Sequence, residues 1–507
     1  MKTKIFFVAI LLVLSSVCVN ASVTTPHLFS DHMVIQQEKP VRVWGWAEPD
    51  ESVTVEFKGN RETTQADSNG AWKVELPAVK ASAEGATMTI KGSNTIVIND
   101  ILVGEVWICS GQSNMEWNLG GAETAKEEIP KADFPNIRLL QITSKPSARS
   151  VHDINDTWKY CKPETAGSFS AVGYFFGKYL NQELSVPVGL IEVVWGGTRI
   201  EPWTPRIGFT QVPALKDIVT LIDQSEVHFR QGMQEMIAET EEWIAATKKA
   251  IDTDKPLPDL PHWPTRELSY SKGIPTQPTC LYNSRILPIV PFSLRGAIWY
   301  QGESNVGEGM LYYEKMKALI GGWRTVFKQE DLSFYYVQLA PFTYGSIALP
   351  EIWEAQTAAL QIPYTGMAVT NDITANVADV HPINKRDVGK RLALWALAKN
   401  YGQSEIVYSG PLYKSMEIIA GKIEISFDHV GSGLKTRDGN APDLFEIAGS
   451  DKVFYAATAK IVGDKVLVWS DKVGEPTAVR FAWSEIAKPN LMNKDGLPAS
   501  SFRTNKP

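Results

Sequence analysis

Cysteine and histidine are scarce in this chain, with four cysteines and seven histidines in 507 residues. No close Cys-x-x-Cys pair and no His/Cys or His/Asp cluster with ligand spacing occurs. A structural zinc site and a metal-dependent deacetylase are therefore without support, and no metal or cofactor is expected. Basic blocks are missing as well, and the net charge is -7, which argues against nucleic acid and anionic membrane surfaces as partners. Long apolar runs are missing beyond the first residues. Lys2 and Lys4 precede a mostly apolar run from Ile5 to Leu14, too short for a bilayer span of about 20 residues. Followed by the small residues of Val19-Asn20-Ala21, it has the form of a signal peptide, 1–21, and predicts an exported protein, periplasmic or extracellular. Cleavage there leaves Cys109, Cys161 and Cys280. An odd number leaves at least one unpaired, and the sequence does not choose between one disulfide and three buried thiols.

What is abundant is apolar and aromatic mass: 44% hydrophobic residues and 16 tryptophans. That is ample for a large core, in a chain long enough for two or three domains. From 22 to 100 the pattern is all-β. Val41-Arg42-Val43-Trp44-Gly45-Trp46, Val53-Thr54-Val55-Glu56-Phe57 and Ala71-Trp72-Lys73-Val74-Glu75-Leu76 alternate as strands do. Lys58-Gly59-Asn60 and Ser68-Asn69-Gly70 supply turns, so an N-terminal β-sandwich is predicted.

From 101 to 402 short apolar strands alternate with helices. The strands are Val103 to Ile108, Leu190 to Trp195, Gly296 to Tyr300 and Tyr335 to Leu339; the helices are Ala171 to Leu180, Tyr312 to Trp323 and Val388 to Asn400. This pattern predicts a parallel sheet covered on both faces, with its site at the carboxyl ends of the strands. A helical insertion is expected at about 213–251. Strands return from 403 to 507, as in Lys422 to Phe427 and Lys465 to Trp469, giving a C-terminal β-rich region.

Four segments carry chemistry. Gly111-Gln112-Ser113-Asn114 follows a strand; a serine on such a turn projects its hydroxyl into the crevice, although alone it reads more readily as a helix cap. Trp195-Gly196-Gly197-Thr198 ends the next strong strand, and its glycines let backbone N–H groups approach a substrate. Tyr300-Gln301-Gly302-Glu303-Ser304-Asn305 ends a third, offering an amide and a carboxylate. Asp379-Val380-His381-Pro382 lies in a loop before a helix, where a histidine can move protons near neutral pH. Together they supply a nucleophile, Ser113, a base, His381, hydrogen-bond donors for an oxyanion, and carboxylates to hold the imidazole.

At these residues the chain resembles the SGNH hydrolases, in particular their sialate O-acetylesterase and acetylxylan esterase-like branch. The run Val103 to Glu116 resembles the nucleophile block, Ile298 to Asn305 the third block, and His381-Pro382-Ile383-Asn384-Lys385 the histidine block; Leu28 to Gln36 resembles the opening of the family's β-domain. The resemblance implies an α/β fold: a flavodoxin-like, three-layer parallel-sheet hydrolase domain. It implies an oxyanion hole from the N–H of Ser113, from Gly197 or Gly196, and from Asn305. It also implies an acid three residues before the histidine, where this chain has Ala378. Asp379 and Glu303 are the two substitutes, and a Ser–His dyad is the third arrangement.

The implied activity is removal of O-acetyl groups from sialic acids of glycans, with an acetylated carbohydrate as the partner. Trp117 and Trp299 are expected to give sugar-stacking faces, Gln301 to contact substrate, and Arg199 to pair with a sialic acid carboxylate. An acetylxylan or other polysaccharide esterase is the nearest alternative, and a non-catalytic carbohydrate-binding protein the remote one.

Overall fold

The computed structural model describes residues 22–260, 270–271, 273–346 and 348–505, without side chains at 228, 270 and 271. The expected signal peptide lies outside the described residues. Among the described residues no helix is long and apolar enough to cross a membrane.

The central sheet is built from β1 (Thr95–Gly111), β2 (Phe134–Gln141), β3 (Lys159–Cys161), β4 (Val188–Val194), β5 (Gly296–Tyr300), β6 (Ser333–Val337) and β7 (Thr365–Ala368). Their spatial order is β7-β6-β5-β1-β4-β2-β3. All pairs are parallel except the last, where the short β3 runs against β2. Strands β4, β5 and β6 are buried at every position, as parallel strands covered on both faces must be. The cover includes α1 (Ala171–Leu184), α3 (Leu311–Phe327), α4 (Ala348–Ala358) and α5 (Lys385–Lys399), with α1 packed on α5 and α3 on α4. The chain places β4 on one side of β1 and β5 on the other. The strand order therefore reverses around β1, which is where crevices open in such sheets. Between β4 and β5 runs α2 (Lys216–Asp252), 37 residues long.

Strand β1 does two jobs. Its first half pairs antiparallel with Ser82–Lys91, which in turn pairs with Ser52–Phe57; its second half enters the central sheet between β4 and β5. The expected boundary at 100/101 thus falls inside one continuous strand, and the N-terminal strands share a single apolar core with the central sheet. The ribbon Val41–Trp46/Ala71–Leu76 buries Val41, Val43, Trp72, Val74 and Leu76 and turns Arg42, Lys73 and Glu75 outward, the alternation read in the sequence. Glu105, fully buried in β1, is held by Arg295 through bonds of 2.7 and 2.9 Å and by Gln36, Gln37 and Tyr401. A buried carboxylate without such partners would be strongly destabilising.

The C-terminal strands form two four-stranded antiparallel sheets and one two-stranded antiparallel sheet around their own core. They press on the central-sheet region near its strand ends. The Glu485 carboxylate accepts the N–H groups of Tyr344, Gly345 and Ser346, and Thr343 of that loop donates its N–H to Val377, four residues before His381. Cys109, Cys161 and Cys280 are buried free thiols. Burial pushes the thiols of Cys161 and Cys280 up to about 12, away from the reactive thiolate.

Candidate active site

Three strand ends and one helix entry meet around Ser113. At the end of β1 the chain turns through Gly111, whose φ of 144° no side-chain-bearing residue readily adopts; a Cβ there would stand 2.1 Å from the carbonyl oxygen of Tyr300. The Gln112 N–H bonds that same carbonyl at 3.0 Å, locking the turn to β5. One helical turn, Ser113–Glu116, follows, so the N–H of Ser113 has no intrahelical acceptor.

His381 comes from the loop between β7 and α5. Its Nε2 lies 2.8 Å from Ser113 Oγ, although 268 residues separate the two. The ring stacks on Trp117, with centroids 5.2 Å apart and planes 25° from parallel. Burial and the nearby Lys385 ammonium hold the imidazole below its ordinary pKa, against a smaller upward pull from Asp379. A neutral imidazole at hydrogen-bond distance from a hydroxyl is the arrangement in which that hydroxyl can lose its proton as it attacks.

The two carboxylates expected to orient His381 lie differently. Asp379 Oδ1 is 3.8 Å from His381 Nδ1 and accepts the His381 backbone N–H at 2.9 Å; its side chain is 55% exposed. Glu303 instead accepts from the Asn114 amide at 2.5 Å, and burial raises its pKa. Asn114 also donates to the carbonyl of Val380, the residue before the histidine, at 2.9 Å.

Of the two glycines after β4, Gly196 is the one set against the nucleophile: a Cβ on it would sit 3.4 Å from Ser113 Cβ and 2.7 Å from a carboxylate oxygen of the exposed Glu116. Gly197 has φ 73° and packs under Ile274. The glycine loop is braced from β5. Ser304 donates to the Gly197 carbonyl at 2.7 Å and Gln301 to the Thr198 carbonyl at 3.0 Å.

Five sequence expectations are corrected here. Asn305 is fully buried. Its amide N–H groups go to Glu201 and Glu308, and its oxygen accepts from Ile200 and Gln301; it has no free donor for an oxyanion at Ser113. Arg199 does not offer an open fork. It pairs with Glu201 and Glu308, beside Lys315, which pairs with the same two carboxylates at 2.7 Å. Gln301 is fully buried and bonded to Thr198, Asn305 and Tyr312, so it shapes the glycine loop and does not face substrate. Trp299 is 1% exposed and packs against Trp203, Trp323 and Phe334. Removing such a ring costs about 3–5 kcal/mol of stability, so Trp299 is framework and gives no stacking face. Trp117 stays half-exposed, but its face is taken by His381.

The sequence reading missed Lys385, which is fully buried beside the site, and the ion cluster of Glu201, Glu308 and Lys315. One signal for Lys385 was present. It opens helix α5, where the helix dipole disfavours a cation, so a lysine there needs another reason.

Comparison with known proteins identifies the family. The model of the family described as "Carbohydrate esterase, sialic acid-specific acetylesterase" matches residues 103–245 and 270–398, which hold Ser113, the glycine loop, Glu303 and His381. The chain is 29% identical over 500 residues to the sialate O-acetylesterase of Mus musculus, covering 90% of this chain and 88% of that one. It is 28% identical over 434 residues to the sialate O-acetylesterase of Homo sapiens, covering 78% and 74%. Among solved structures, a carbohydrate acetylesterase from Xanthomonas citri superposes with a TM-score of 0.80 at 36% identity, covering 96% of this chain and all of that one. The chain is thus a carboxylic ester hydrolase, which sets aside the reading as a non-catalytic binder, and it belongs to the carbohydrate esterases of the sialic acid-specific acetylesterase family.

Proposed function

We propose that this enzyme removes O-acetyl groups from sialic acids of glycans through an acetyl-enzyme on Ser113. The observation that carries the mechanism is the 2.8 Å contact between Ser113 Oγ and His381 Nε2 at the carboxyl ends of the strands. Ser113 Oγ attacks the acetyl carbonyl while His381 takes its proton. The N–H groups of Ser113 and of Gly196 or Gly197 stabilise the oxyanion. The tetrahedral species collapses as the bond to the sugar oxygen breaks, and His381 returns the proton to that oxygen. Water, deprotonated by His381, then attacks the acetyl group; acetate leaves and the serine hydroxyl is restored. The same reading includes an exported enzyme whose signal peptide is 1–21. Its catalytic unit is a flavodoxin-like three-layer domain whose first strand continues out of the N-terminal β-unit, and a C-terminal β-unit, 403–507, follows it.

The orienting carboxylate we assign to Asp379, because it stands on the Nδ1 side of the ring. An exposed carboxylate at that distance contributes about 1 kcal/mol or less. Asp379→Asn is therefore expected to lower kcat/KM by no more than about tenfold, and to move the acid limb of the pH profile downward, since an anion that favours imidazolium is gone. Glu303→Gln should leave that limb in place. Profiles of the two variants decide: a downward shift in Glu303→Gln alone transfers the role to Glu303.

The names of the mouse and human relatives support sialic acid as the acceptor. One observation favours a second reading, a neutral acetylated polysaccharide such as xylan. Arg199 is bound to two carboxylates, and the exposed Glu116 lies beside Gly196. Turnover on a panel of O-acetylated sialic acids and acetylated xylans, with the freed position read by NMR, separates them. The first reading expects the sialates to be preferred by about tenfold or more, roughly the 1.4 kcal/mol of one specific contact. Equal or faster release from xylan selects the second, and Arg199→Ala then leaves the preference unchanged.

A further inference from the structure

Lys385 is fully buried at the first position of α5. Its side-chain hydrogen bond goes to a neutral group, Asn114 Oδ1, at 2.5 Å. It lies over the rings of Trp117 and Tyr300, 5.7 and 5.4 Å from their centroids, while Glu303 and Asp379 act on it through space. Burial draws its pKa down to about 7. A buried ammonium at a helix N-terminus, bonded to an amide instead of a carboxylate, is unfavourable twice over.

The bonds of Asn114 give a reason for it. Asn114 follows the nucleophile directly, and its amide nitrogen donates both to Glu303 and to the carbonyl of Val380, the residue before His381. That orientation leaves the amide oxygen pointing inward, where it needs a donor, and Lys385 is that donor. An amide turned the other way would set its oxygen against two acceptors.

We propose that Lys385 is a positioning residue, whose ammonium fixes the Asn114 amide so that one side chain ties the nucleophile turn to the histidine loop. The charged and titratable groups around the pair are Asp379 on the histidine loop, Glu303 after β5 and Tyr300 at the end of β5. On the imidazole itself, Lys385 and Asp379 pull in opposite directions. Removing the lysine charge therefore raises the pKa of His381, and the acid limb of kcat/KM moves to higher pH. A purely structural residue would not move that limb.

The inference rests on the roles given to Ser113 and His381 above. In the full chain, Lys385→Met is expected to lower kcat about ten- to a hundredfold, the scale of a misplaced reacting group, with KM little changed and the acid limb shifted upward. Asn114→Leu should lower kcat comparably and leave the limb in place. The double variant should fall no further than the worse single one. A folded Lys385→Met with wild-type kcat and limb, or losses that multiply in the double variant, overturns the proposal. Should Lys385→Met fail to fold, Asn114→Leu decides alone: kcat within twofold of the wild type ends it. Ser113→Ala measured alongside keeps the two questions apart, since activity retained there discards the assumed nucleophile, whereas normal turnover in Lys385→Met discards only the role of the lysine.

Discussion

Ser113→Ala is expected to lower kcat for release of acetate from a chromogenic acetyl ester by about 10⁴- to 10⁶-fold, as loss of a serine nucleophile does elsewhere. The change removes one oxygen whose neighbour is His381 Nε2. Ser113 is only partly buried, and its backbone is fixed by the turn at Gly111 and by the Gln112 bond to Tyr300. The fold should therefore survive with its melting temperature nearly unchanged, and KM should stay within a few-fold, because ground-state contacts to the sugar do not run through the hydroxyl. Residual turnover should reflect the oxyanion donors and binding alone. Activity within tenfold of the wild type would end the case for an acetyl-enzyme on this residue.

His381→Ala should be nearly as damaging, and the double variant Ser113→Ala/His381→Ala no slower than the worse single one, since hydroxyl and imidazole act as a unit. Losses that multiply would mean two separate functions. The intact enzyme should also carry the signature of this base in its pH dependence. The base works only when neutral, so activity falls as pH drops through its pKa. Burial and Lys385 hold that pKa below the ordinary histidine value, which places the acid limb of kcat/KM on the acid side of an unperturbed histidine's. A limb above pH 7 that survives in His381→Ala belongs to some other group.

Much of the framework was legible because the strands near the site are apolar and short. Gly296–Tyr300 has the bounds the alternation of apolar runs and helices predicts, and Val188–Val194 lies within two residues of them. Helices α1 and α3 were likewise visible from their apolar spacing. Strand β2 was not, because Phe134–Gln141 carries a proline and Arg138. That arginine is 2% exposed and donates to the Pro135 carbonyl and to Asp100, so its burial depends in part on a carboxylate 38 residues away. Strand β7 is the four residues Thr365–Ala368. Its pairing with β6 makes it a strand, and no local propensity announces it.

The site divides the same way. Ser113, His381 and the glycine pair stand on strand ends and loop turns, where spacing alone suggests a meeting place. The fates of Asn305 and Arg199 turned on Glu201, Glu308 and Lys315, which come from two separate stretches of chain. A side chain's type says what it can bond, and only the fold says which neighbour has already claimed it.

The seventeen-residue span of β1 has an evolutionary corollary. The amino-terminal portion of this enzyme is no detachable cassette, because the ribbon of backbone that delivers the attacking oxygen is anchored by neighbours there. Shuffling, deletion or circular rearrangement through residue 100 would sever that ribbon midway. Lineages that keep the chemistry should therefore inherit both portions together.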